Sequence, residues 1–408
     1  MPTQKRPAKT PRDARARDAR RRARETSQTP PPTKIKTERV AAKIASDEAD
    51  AARPRPTKEI AARPQPTARA RPTKTGRPTT VAIVGVGRLG SALALALDSC
   101  GYAVSALVSR DGARARRAAR SLTNSRPLAL SAAQLDRLPD TDLLIIATPD
   151  DQIEATAARV SASLDERAAA RQFGADAEAA ATRSSRRASS QSSSRSRRAT
   201  RVALHASGAL SSRALAPLGA RGFATGSLHP LVSVSDPQSA VENLRGAFYC
   251  VEGDAPATRL ARRVVRSLGG RAFSVRARDK ALYHAAAVLA AGHAVALFDL
   301  ATESLAACGL TRKRARAVLL PLARSAVANL ASARSNAAAL TGPFARADAA
   351  TVRRNLSAFD RAGLRGVKAV YELLGLASLD LAEQSGADPA SLEEIARALS
   401  EADAGEDA

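Results

Sequence analysis

The pattern of apolar and polar residues divides the middle of the chain into short apolar runs separated by turns. "TVAIVGVG" begins the series, and comparable runs follow at 103–110, 142–151, 202–208, 223–230, 247–254 and 272–275. A near-continuous apolar run such as "DLLIIATPDD" is typical of a strand in a parallel sheet that is covered on both faces. Residues 90–99 carry an Ala/Leu face and predict a helix directly after the first strand.

From residue 277 the pattern changes to a succession of Ala- and Leu-rich helices. Breaks are predicted at Gly309, at the "LTGP" turn of residues 340–343 and at Gly375. The sequence therefore predicts an α/β fold with two folded domains. A Rossmann-like parallel sheet domain occupies residues 79–276, and an all-α helical domain occupies residues 277–400.

One apolar stretch in the helical region approaches the length of a membrane span. Residues 281–298, "ALYHAAAVLAAGHAVALF", carry no formal charge, and Asp279, Lys280 and Asp299 flank them. Alanine is the commonest residue of the stretch, which also contains two histidines, and this composition is unusual for a span. We therefore expect a helix that is buried in a helical core or in a subunit interface, and no association with a membrane.

Two segments carry most of the net charge of +25. Residues 1–80 contain 22 Lys and Arg against 8 Asp and Glu, and residues 183–201 contain seven Arg and no acid. The Pro-rich composition predicts a disordered basic tail at residues 1–78, and the Ser/Arg composition predicts a low-complexity insert at residues 165–200. We interpret both as solvated segments. Nucleic-acid binding is expected at most through the basic tail.

The cysteines and the N-terminal segment indicate the cellular compartment of the protein. Cys100, Cys250 and Cys308 show neither the spacing of a metal site nor that of a disulfide framework. The N-terminal segment has no apolar core of the kind that secretory signals contain. The sequence therefore predicts a cytoplasmic protein without a metal site.

The glycines after the first strand predict a dinucleotide-binding turn. Gly85, Gly87 and Gly90 form a G-x-G-x-x-G pattern between a strand and a helix, with Arg88 and Leu89 inside it. The first glycine permits the tight turn, the second lets backbone N–H groups approach a pyrophosphate, and the third lets helix and strand pack closely. The alternative is a strand-to-helix turn that binds no ligand.

The end of the second strand indicates NADP rather than NAD. NAD-binding domains place Asp or Glu there to bind the ribose hydroxyl, whereas this chain has Ser109 and Arg110, with Arg114 one helical turn further on. A guanidinium pairs well with phosphate oxygens, so we expect a 2′-phosphate; the alternative is an ordinary surface arginine. Thr148 and Pro149 end the next buried strand and are expected to border the cofactor.

Three residues are candidates for catalysis at the predicted crevice. Lys280 is the first candidate for the general acid, because a titratable amine can donate a proton near neutral pH. His284, one helical turn later, is the second, and Ser207 is expected to orient the substrate. The alternatives are a surface lysine and a core histidine with satisfied hydrogen bonds. Nine residues separate His284 from His293, which predicts opposite faces of one helix.

An ordered string of motifs resembles a known two-domain family of oxidoreductases. The motifs are "GVGRLG", "ATPDD", "HASGAL", "SLHPL", "FYCVEGD", "YHAAAVLAAGH" and "ALTGPFARADAATVRRNL". That family joins a Rossmann-like domain to a helical domain of unassigned function and is related in fold to ketopantoate reductase, pyrroline-5-carboxylate reductase and the β-hydroxyacid dehydrogenases. The resemblance covers residues 79–380 without the insert. It implies that the glycine pattern binds the cofactor and that two chains pair through their helical domains.

The resemblance also implies where a substrate binds. The residues that it implies at the interdomain cleft are His284, Thr341, Gly342, Pro343 and Arg346. From their positions at the crevice, His229 is expected to bind the substrate and Arg346 to clamp its carboxylate. Two positions depart from the family pattern: Gly292 and His293 stand where the family has Ser-Asn, and Ala347 stands where it has Gly.

The predicted activity is NADPH-dependent reduction of a small carbonyl compound, with a 2-oxo acid such as ketopantoate as the leading substrate. Two alternatives stay open at this point. One is an imine reductase of the pyrroline-5-carboxylate type. The other is a sensor that binds NADP(H) without turnover.

Overall fold

The computed structural model describes residues 77–182 and 200–400, which belong to one compact unit. All but the last two residues of the predicted basic tail, and the Ser/Arg part of the predicted insert, lie outside the described residues. In chain order the sheet region consists of β1 (Thr80–Val84), α1 (Arg88–Ser99), β2 (Ala103–Ser109), α2 (Ala113–Arg120), β3 (Leu128–Ser131), β4 (Leu143–Ile146), α3 (Asp150–Thr182), β5 (Val202–His205), α4 (Ala216–Gly219), β6 (Ala224–Pro230), α5 (Pro237–Leu244), β7 (Phe248–Gly253), α6 (Ala255–Ser267) and β8 (Arg271–Phe273).

The eight strands form one sheet in the spatial order β3-β2-β1-β4-β5-β6-β7-β8. Neighbouring strands are parallel throughout, except that β6 and β7 are antiparallel. The carboxyl ends of β1, β2, β4, β5 and β6 therefore meet at one edge of the sheet, which is where ligands bind in folds of this class. The predicted Rossmann-like sheet is confirmed.

Helices cover both faces of the sheet. Alternate residues of the central strands, such as Ile83 and Ile145, pack against α1, α5 and α6. The residues that point the other way, such as Ala82 and Ile146, pack against α3. Burial on both faces explains why these strands are apolar at every position rather than at every second one.

The chain is helical after β8. The first long helix is interrupted by a π-helical segment at Leu289–His293. The helices of this region are α7 (Lys280–Val288), α8 (Ala294–Ala307), α9 (Arg312–Ser332), α10 (Asn336–Ala339), α11 (Ala349–Arg361), α12 (Arg365–Gln384) and α13 (Pro389–Ser400). The predicted all-α region is confirmed.

The predicted break at Gly375 is wrong. Gly375 lies inside α12 and is buried there. A Cβ atom at this position would lie 3.0 Å from Leu399 Cδ1 and 3.0 Å from Phe344 Cζ. Tertiary packing therefore accounts for this glycine: the helix continues through it, and the missing side chain lets neighbouring residues approach closely.

Two further elements differ from the predictions. Strand β3 was not predicted, because its four residues lie at the edge of the sheet and are only partly apolar. Helix α3 continues to Thr182 and so extends into the segment predicted as a low-complexity insert from residue 165.

The apolar segment Ala277–Ala307 is long and apolar enough, by length and composition, to cross a membrane. Only 6% of its most apolar window is buried, so the expectation that a helical core of this chain buries it is wrong. A single segment of this kind is weak evidence for a span. Its first turn is also tied to the sheet domain, because the Lys280 side chain is 1% exposed and bonds to Ser227 in β6 and to Ser207 in the loop after β5.

Candidate active site

The glycine turn between β1 and α1 is built on close backbone contacts. Gly85 has a φ of +101°, and a Cβ atom there would lie 2.5 Å from the carbonyl carbon of Ala147. A Cβ atom on Gly90 would lie 2.0 Å from the carbonyl oxygen of Gly85. Gly87 differs from both, because a Cβ atom there would have no neighbour within 4 Å. The turn thus has two packed glycines and one that faces open space.

The start of α1 fits a pyrophosphate. Gly87 is the N-cap residue and supplies no side-chain cap, and the first turn contains no acidic residue. The leading N–H groups of a helix have no partner within the helix, and the helix dipole places partial positive charge there. The N–H groups at Arg88, Leu89 and Gly90 would therefore hold the phosphates of a dinucleotide.

The end of β2 fits a 2′-phosphate. Arg110 and Arg114 are both exposed there, whereas Ser109 is buried and its hydroxyl accepts from the backbone N–H of Ala115. The nearby Asp111 is engaged locally, because its carboxylate accepts from the N–H of Ala113. The backbone N–H of Arg114 is the main cause that lowers the pKa of Asp111. Two guanidinium groups are thus the exposed charges available to a phosphate at this point.

The end of β4 carries an unpaired polar atom. Thr148 follows this strand, and its Oγ1 is buried without a hydrogen-bond partner among the described residues. Pro149 is exposed beside it, at the start of α3. A buried hydroxyl in a folded protein normally has a partner, so this atom indicates a position where a ligand would bind.

The loop after β5 is held by His205. This histidine is fully buried; its Nε2 lies 3.0 Å from the carbonyl oxygen of Ser211, and its Nδ1 accepts from the N–H of Ser207 at 3.2 Å. Burial lowers the pKa of His205 to about 4. The ring is therefore neutral at physiological pH and donates from Nε2, which fixes the path of the loop.

Ser207 and Asp150 connect this loop to α3. The Ser207 hydroxyl donates to Asp150 Oδ2 at 2.7 Å and accepts from the N–H groups of Ala209 and Leu210. The single hydroxyl proton is thus given to the carboxylate rather than presented to a substrate. The geometry favours a role for Ser207 in holding the loop over the predicted role of orienting the substrate.

Lys280 lies beneath the loop rather than at its surface. Its Nζ donates to Ser227 Oγ at 2.9 Å and to the carbonyl oxygen of Ser207 at 3.3 Å. The side chain is 1% exposed, so the alternative of a surface lysine is wrong. Burial lowers the pKa of Lys280. An amine enclosed in this way is poorly placed to reach a substrate, so the role of general acid stays a prediction that the geometry does not favour.

Three aromatic side chains meet beside Gly208. His229 Nδ1 lies 2.7 Å from the hydroxyl oxygen of Tyr283, and the rings of His229 and His284 are in edge contact with centroids 5.5 Å apart. A Cβ atom on Gly208 would lie 2.4 Å from His284 Nδ1 and 3.0 Å from His229 Nε2. Both nitrogen atoms therefore pack closely against Gly208, where no side chain would fit.

The two histidines of this cluster differ in their partners. His284 Nδ1 is buried without a hydrogen-bond partner among the described residues, so the alternative of a satisfied core histidine is wrong for this atom. Burial is the main cause that lowers the pKa of His229 to about 4, and His284 and Lys280 add to the effect. Tyr283 was not predicted, although its place between Lys280 and His284 on one helical turn is a usable signal.

Other predicted site residues lie apart from the cluster. His293 is exposed, and the π-helical segment that contains it changes the helical phase on which the opposite-face argument depended. Thr341 and Arg346 are exposed in the connection between α10 and α11. No hydrogen bond within the described ranges connects either side chain to His229, Tyr283 or His284, so their contact with the site stays a prediction.

Two family models match separate parts of the chain. Residues 80–169 match the family described as "NADP oxidoreductase coenzyme F420-dependent". Residues 247–378 match a domain of unknown function, DUF2520. These matches confirm the predicted class of protein, an oxidoreductase, and the predicted cofactor, NADP. They also confirm the predicted resemblance to a two-domain family with a helical domain of unassigned function.

Two solved structures share the fold. Protein TM1727 of Thermotoga maritima is 20% identical, with a TM-score of 0.52, and the match covers 75% of this chain and 99% of that one. BF3122 of Bacteroides fragilis, described as an NADP oxidoreductase, is 18% identical with a TM-score of 0.54, and the match covers 74% of this chain and 98% of that one. No curated protein matches the sequence. At these identities the structures establish the fold alone.

Proposed function

We propose, from the premise that this chain is an NADP-dependent oxidoreductase with a DUF2520 helical domain, that it reduces a small carbonyl or imine compound. The carrying observation is the unpaired, buried Nδ1 of His284, which faces Gly208 at the loop that follows β5. The glycine turn that fits the dinucleotide lies at the same edge of the sheet. A reducing cofactor and a polar group for the substrate would therefore share one crevice.

The bound cofactor supplies the hydride, and the chain supplies orientation and a proton. When a hydride adds to a carbonyl carbon, the electrons of the double bond move to the oxygen. His284 is placed to protonate that oxygen from Nδ1. The Asp150–Ser207 hydrogen bond holds the loop in place, and Arg346 is our proposed partner for a substrate carboxylate.

Ketopantoate and pyrroline-5-carboxylate are the two substrates to compare, because one is a 2-oxo acid and the other a cyclic imine. NADPH oxidation is followed with each at equal concentration. We expect turnover of one of them, and an about 10²- to 10⁴-fold lower kcat in His284→Ala, as for loss of a general acid. His293→Ala is the matched control, since His293 is exposed on the same apolar segment.

A sensor without turnover is the second candidate, favoured by the burial of Lys280, which removes one predicted proton donor from the crevice. Tight NADPH binding without oxidation by a panel of 2-oxo acids and cyclic imines would support it. Loss of activity in His284→Ala together with full activity in His293→Ala would exclude it.

We further propose that a second copy of this chain covers the apolar face of the helical region. Eleven of the 14 large apolar side chains that are exposed among the described residues lie in this region, among them Leu282, Leu322 and Leu373. A cavity of about 400 Å³ opens onto this face, lined in part by Leu297 and Leu374, which are themselves exposed. A face that extends over several helices is too large for one small ligand and fits a twofold interface.

A further inference from the structure

We infer that His229 is held as a neutral imidazole with its proton on Nε2, and that this N–H is the hydrogen-bond donor for the reacting atom of the substrate beside Gly208. Tyr283 and Lys280 are positioning residues for this state. The substrate contact rests on the proposed function. The protonation state of His229 does not, and it is testable without any substrate.

The contact with Tyr283 decides which ring nitrogen carries the proton. Tyr283 has one hydroxyl proton, and burial, together with the neighbouring Cys250 thiol, raises the pKa of Tyr283, so the phenol keeps that proton. Donation from the phenol to His229 Nδ1 makes a strong bond at 2.7 Å. In the reverse arrangement the phenol proton would be left to the thiol sulfur, which is a weak acceptor. Nδ1 is therefore the acceptor, and the proton lies on Nε2.

His229 Nε2 lies against Gly208, near the carboxyl end of β6 and so at the edge of the sheet that carries the glycine turn. Nε2 lies 3.0 Å from the position that a Cβ atom on Gly208 would occupy, and His284 Nδ1 lies 2.4 Å from the same position. Within residues 77–182 and 200–400 no group accepts a hydrogen bond from Nε2. A side chain at residue 208 would clash with both rings, so glycine at this position lets both nitrogen atoms pack against the loop that follows β5.

The charges around His229 favour the neutral ring. Lys280 and His284 face it from α7 and the neutral His205 faces it from β5, so protonation of the ring would place a positive charge beside that of Lys280. Cys250 pairs with His229 across β6 and β7, and burial raises the pKa of its thiol, which stays neutral. Asp150 is the carboxylate that faces the ring, and it already accepts from Ser207.

Lys280 helps to keep the His229 ring neutral, because hydrogen bonds hold its amine in one position. Its two hydrogen bonds join the start of α7 to the loop after β5 and to β6, the strand that carries His229. Its charge is therefore held at a constant place relative to the ring. The amine acts through His229 and not on the substrate.

A neutral N–H group suits the proposed reaction. As the hydride adds, negative charge develops on the substrate oxygen, and a fixed donor stabilises that charge without giving up its proton. A neutral imidazole in this role donates one hydrogen bond of fixed direction. His284 then provides the proton that completes the alcohol or amine.

The direct test is nitrogen NMR of the histidine rings in the full chain labelled with ¹⁵N-histidine. The chain contains four histidines, so single substitutions assign every signal. We expect His229 to stay neutral from pH 8 to about pH 5, with Nε2 protonated and Nδ1 bare. A protonated Nδ1 in the neutral ring, or a titration midpoint above about pH 6, would overturn the inference.

Two variants test the positioning residues in the same spectrum. Lys280→Met removes the charge and should raise the titration midpoint of His229 by about one pH unit, whereas Lys280→Arg should leave it unchanged. Tyr283→Phe removes the donor and should produce a mixture of the two neutral tautomers. An unchanged titration midpoint of His229 in Lys280→Met overturns the role of Lys280. If that variant does not fold, the Tyr283→Phe variant still provides a test, because a single Nε2–H tautomer of His229 in it overturns the role of Tyr283.

Kinetics test the contact with the substrate. His229→Leu should lower kcat about 10²- to 10³-fold with little change in KM, as for loss of one donor to a developing oxyanion. His229→Gln keeps an N–H group and should retain most of the activity. Equal kcat values for the two variants would contradict the donor role. A wild-type enzyme that turns over neither substrate would contradict the proposed function, while the NMR result still decides the state of His229.

Discussion

The residue that best explains the choice of cofactor is Arg110. Its exposed guanidinium stands at the end of β2, where NAD-binding domains have an acid, and Asp111 beside it is engaged with a backbone N–H. This part of the prediction needed the sequence alone, because the position is fixed by its distance from the glycine turn.

Arg110→Ala should weaken NADPH binding about 10- to 100-fold and leave NADH binding unchanged, since a hydrogen bond to a charged group contributes about 1.5–3 kcal/mol. Arg120→Ala is the matched control, because Arg120 is exposed at the other end of α2. Calorimetric titration with each nucleotide measures the difference. Equal losses for NADPH and NADH would contradict the assignment.

Ala347 departs from the family pattern at a position where the backbone is strained. Among the described residues other than glycine, Ala347 alone has a positive φ, +51°. It stands where the family pattern has Gly. A left-handed conformation costs an L-residue about 1–2 kcal/mol, which exceeds the entropy that glycine loses on folding.

Ala347→Gly should therefore raise the free energy of unfolding by about 0.5–1 kcal/mol. Ala362→Gly is the control; Ala362 ends α11 with a φ of −84°, so the same change there should lower stability by a similar amount. Denaturant unfolding of both variants provides the comparison, and a destabilised Ala347→Gly would show that the turn is not strained.

The roles of single side chains were harder to predict than their positions. Lys280 and His284 were both selected from the sequence, but their burial depends on the loop after β5 and on β6, which are more than 50 residues away. The sequence made Lys280 the first candidate for the general acid and His284 the second, whereas the geometry favours His284. Tyr283 was missed because its partners, His229 and Cys250, are also distant in sequence.

At the scale of elements, strand β1, the glycine turn and helix α1 act together as one binding unit. The three glycines have different tasks, since Gly85 and Gly90 contact backbone atoms while Gly87 faces open space. The strand, the turn and the helix were predicted correctly from local sequence, whereas the close contact of Gly85 with Ala147 depends on the end of β4, and the binding of a dinucleotide by this turn stays a prediction. The edge strand β3 and the glycine inside α12 depend on distant contacts and were not predicted correctly.

Gly87→Ala should separate binding from folding. A methyl group meets no protein atom there within 4 Å, so stability should stay within about 1 kcal/mol of the wild type, while the approach of a pyrophosphate is blocked. NADPH affinity should fall at least about tenfold. Gly292→Ala is the control, because its Cβ atom would make an ordinary 3.6 Å contact with Val288. Unchanged NADPH affinity in Gly87→Ala would mean that this turn holds no dinucleotide.

At the scale of the whole molecule, the chain has a well-covered sheet and a poorly covered helical region. The parallel sheet is buried on both faces. In the apolar segment at the start of the helical region, only 6% of the most apolar window is buried. The sequence identified this segment as apolar, but only the structure shows that no other part of the described chain covers it.

A single charge placed on the exposed face should keep the chains apart. Leu322 is 66% exposed on α9, and Leu322→Glu should yield a monomer of 42.5 kDa where the wild type has twice that mass. Leu128→Glu is the control, since Leu128 is 45% exposed on β3, outside the helical region. Light scattering measures the masses. A monomeric wild type would contradict the proposed interface.

The most direct test of the account is the titration of the wild-type protein with NADPH and, separately, with NADH. The proposed mode of binding has the pyrophosphate on the first turn of α1 and the 2′-phosphate beside Arg110. It therefore predicts saturable binding of both nucleotides, with NADPH bound at least about tenfold more tightly. Absence of binding for both nucleotides, or tighter binding of NADH, would contradict it.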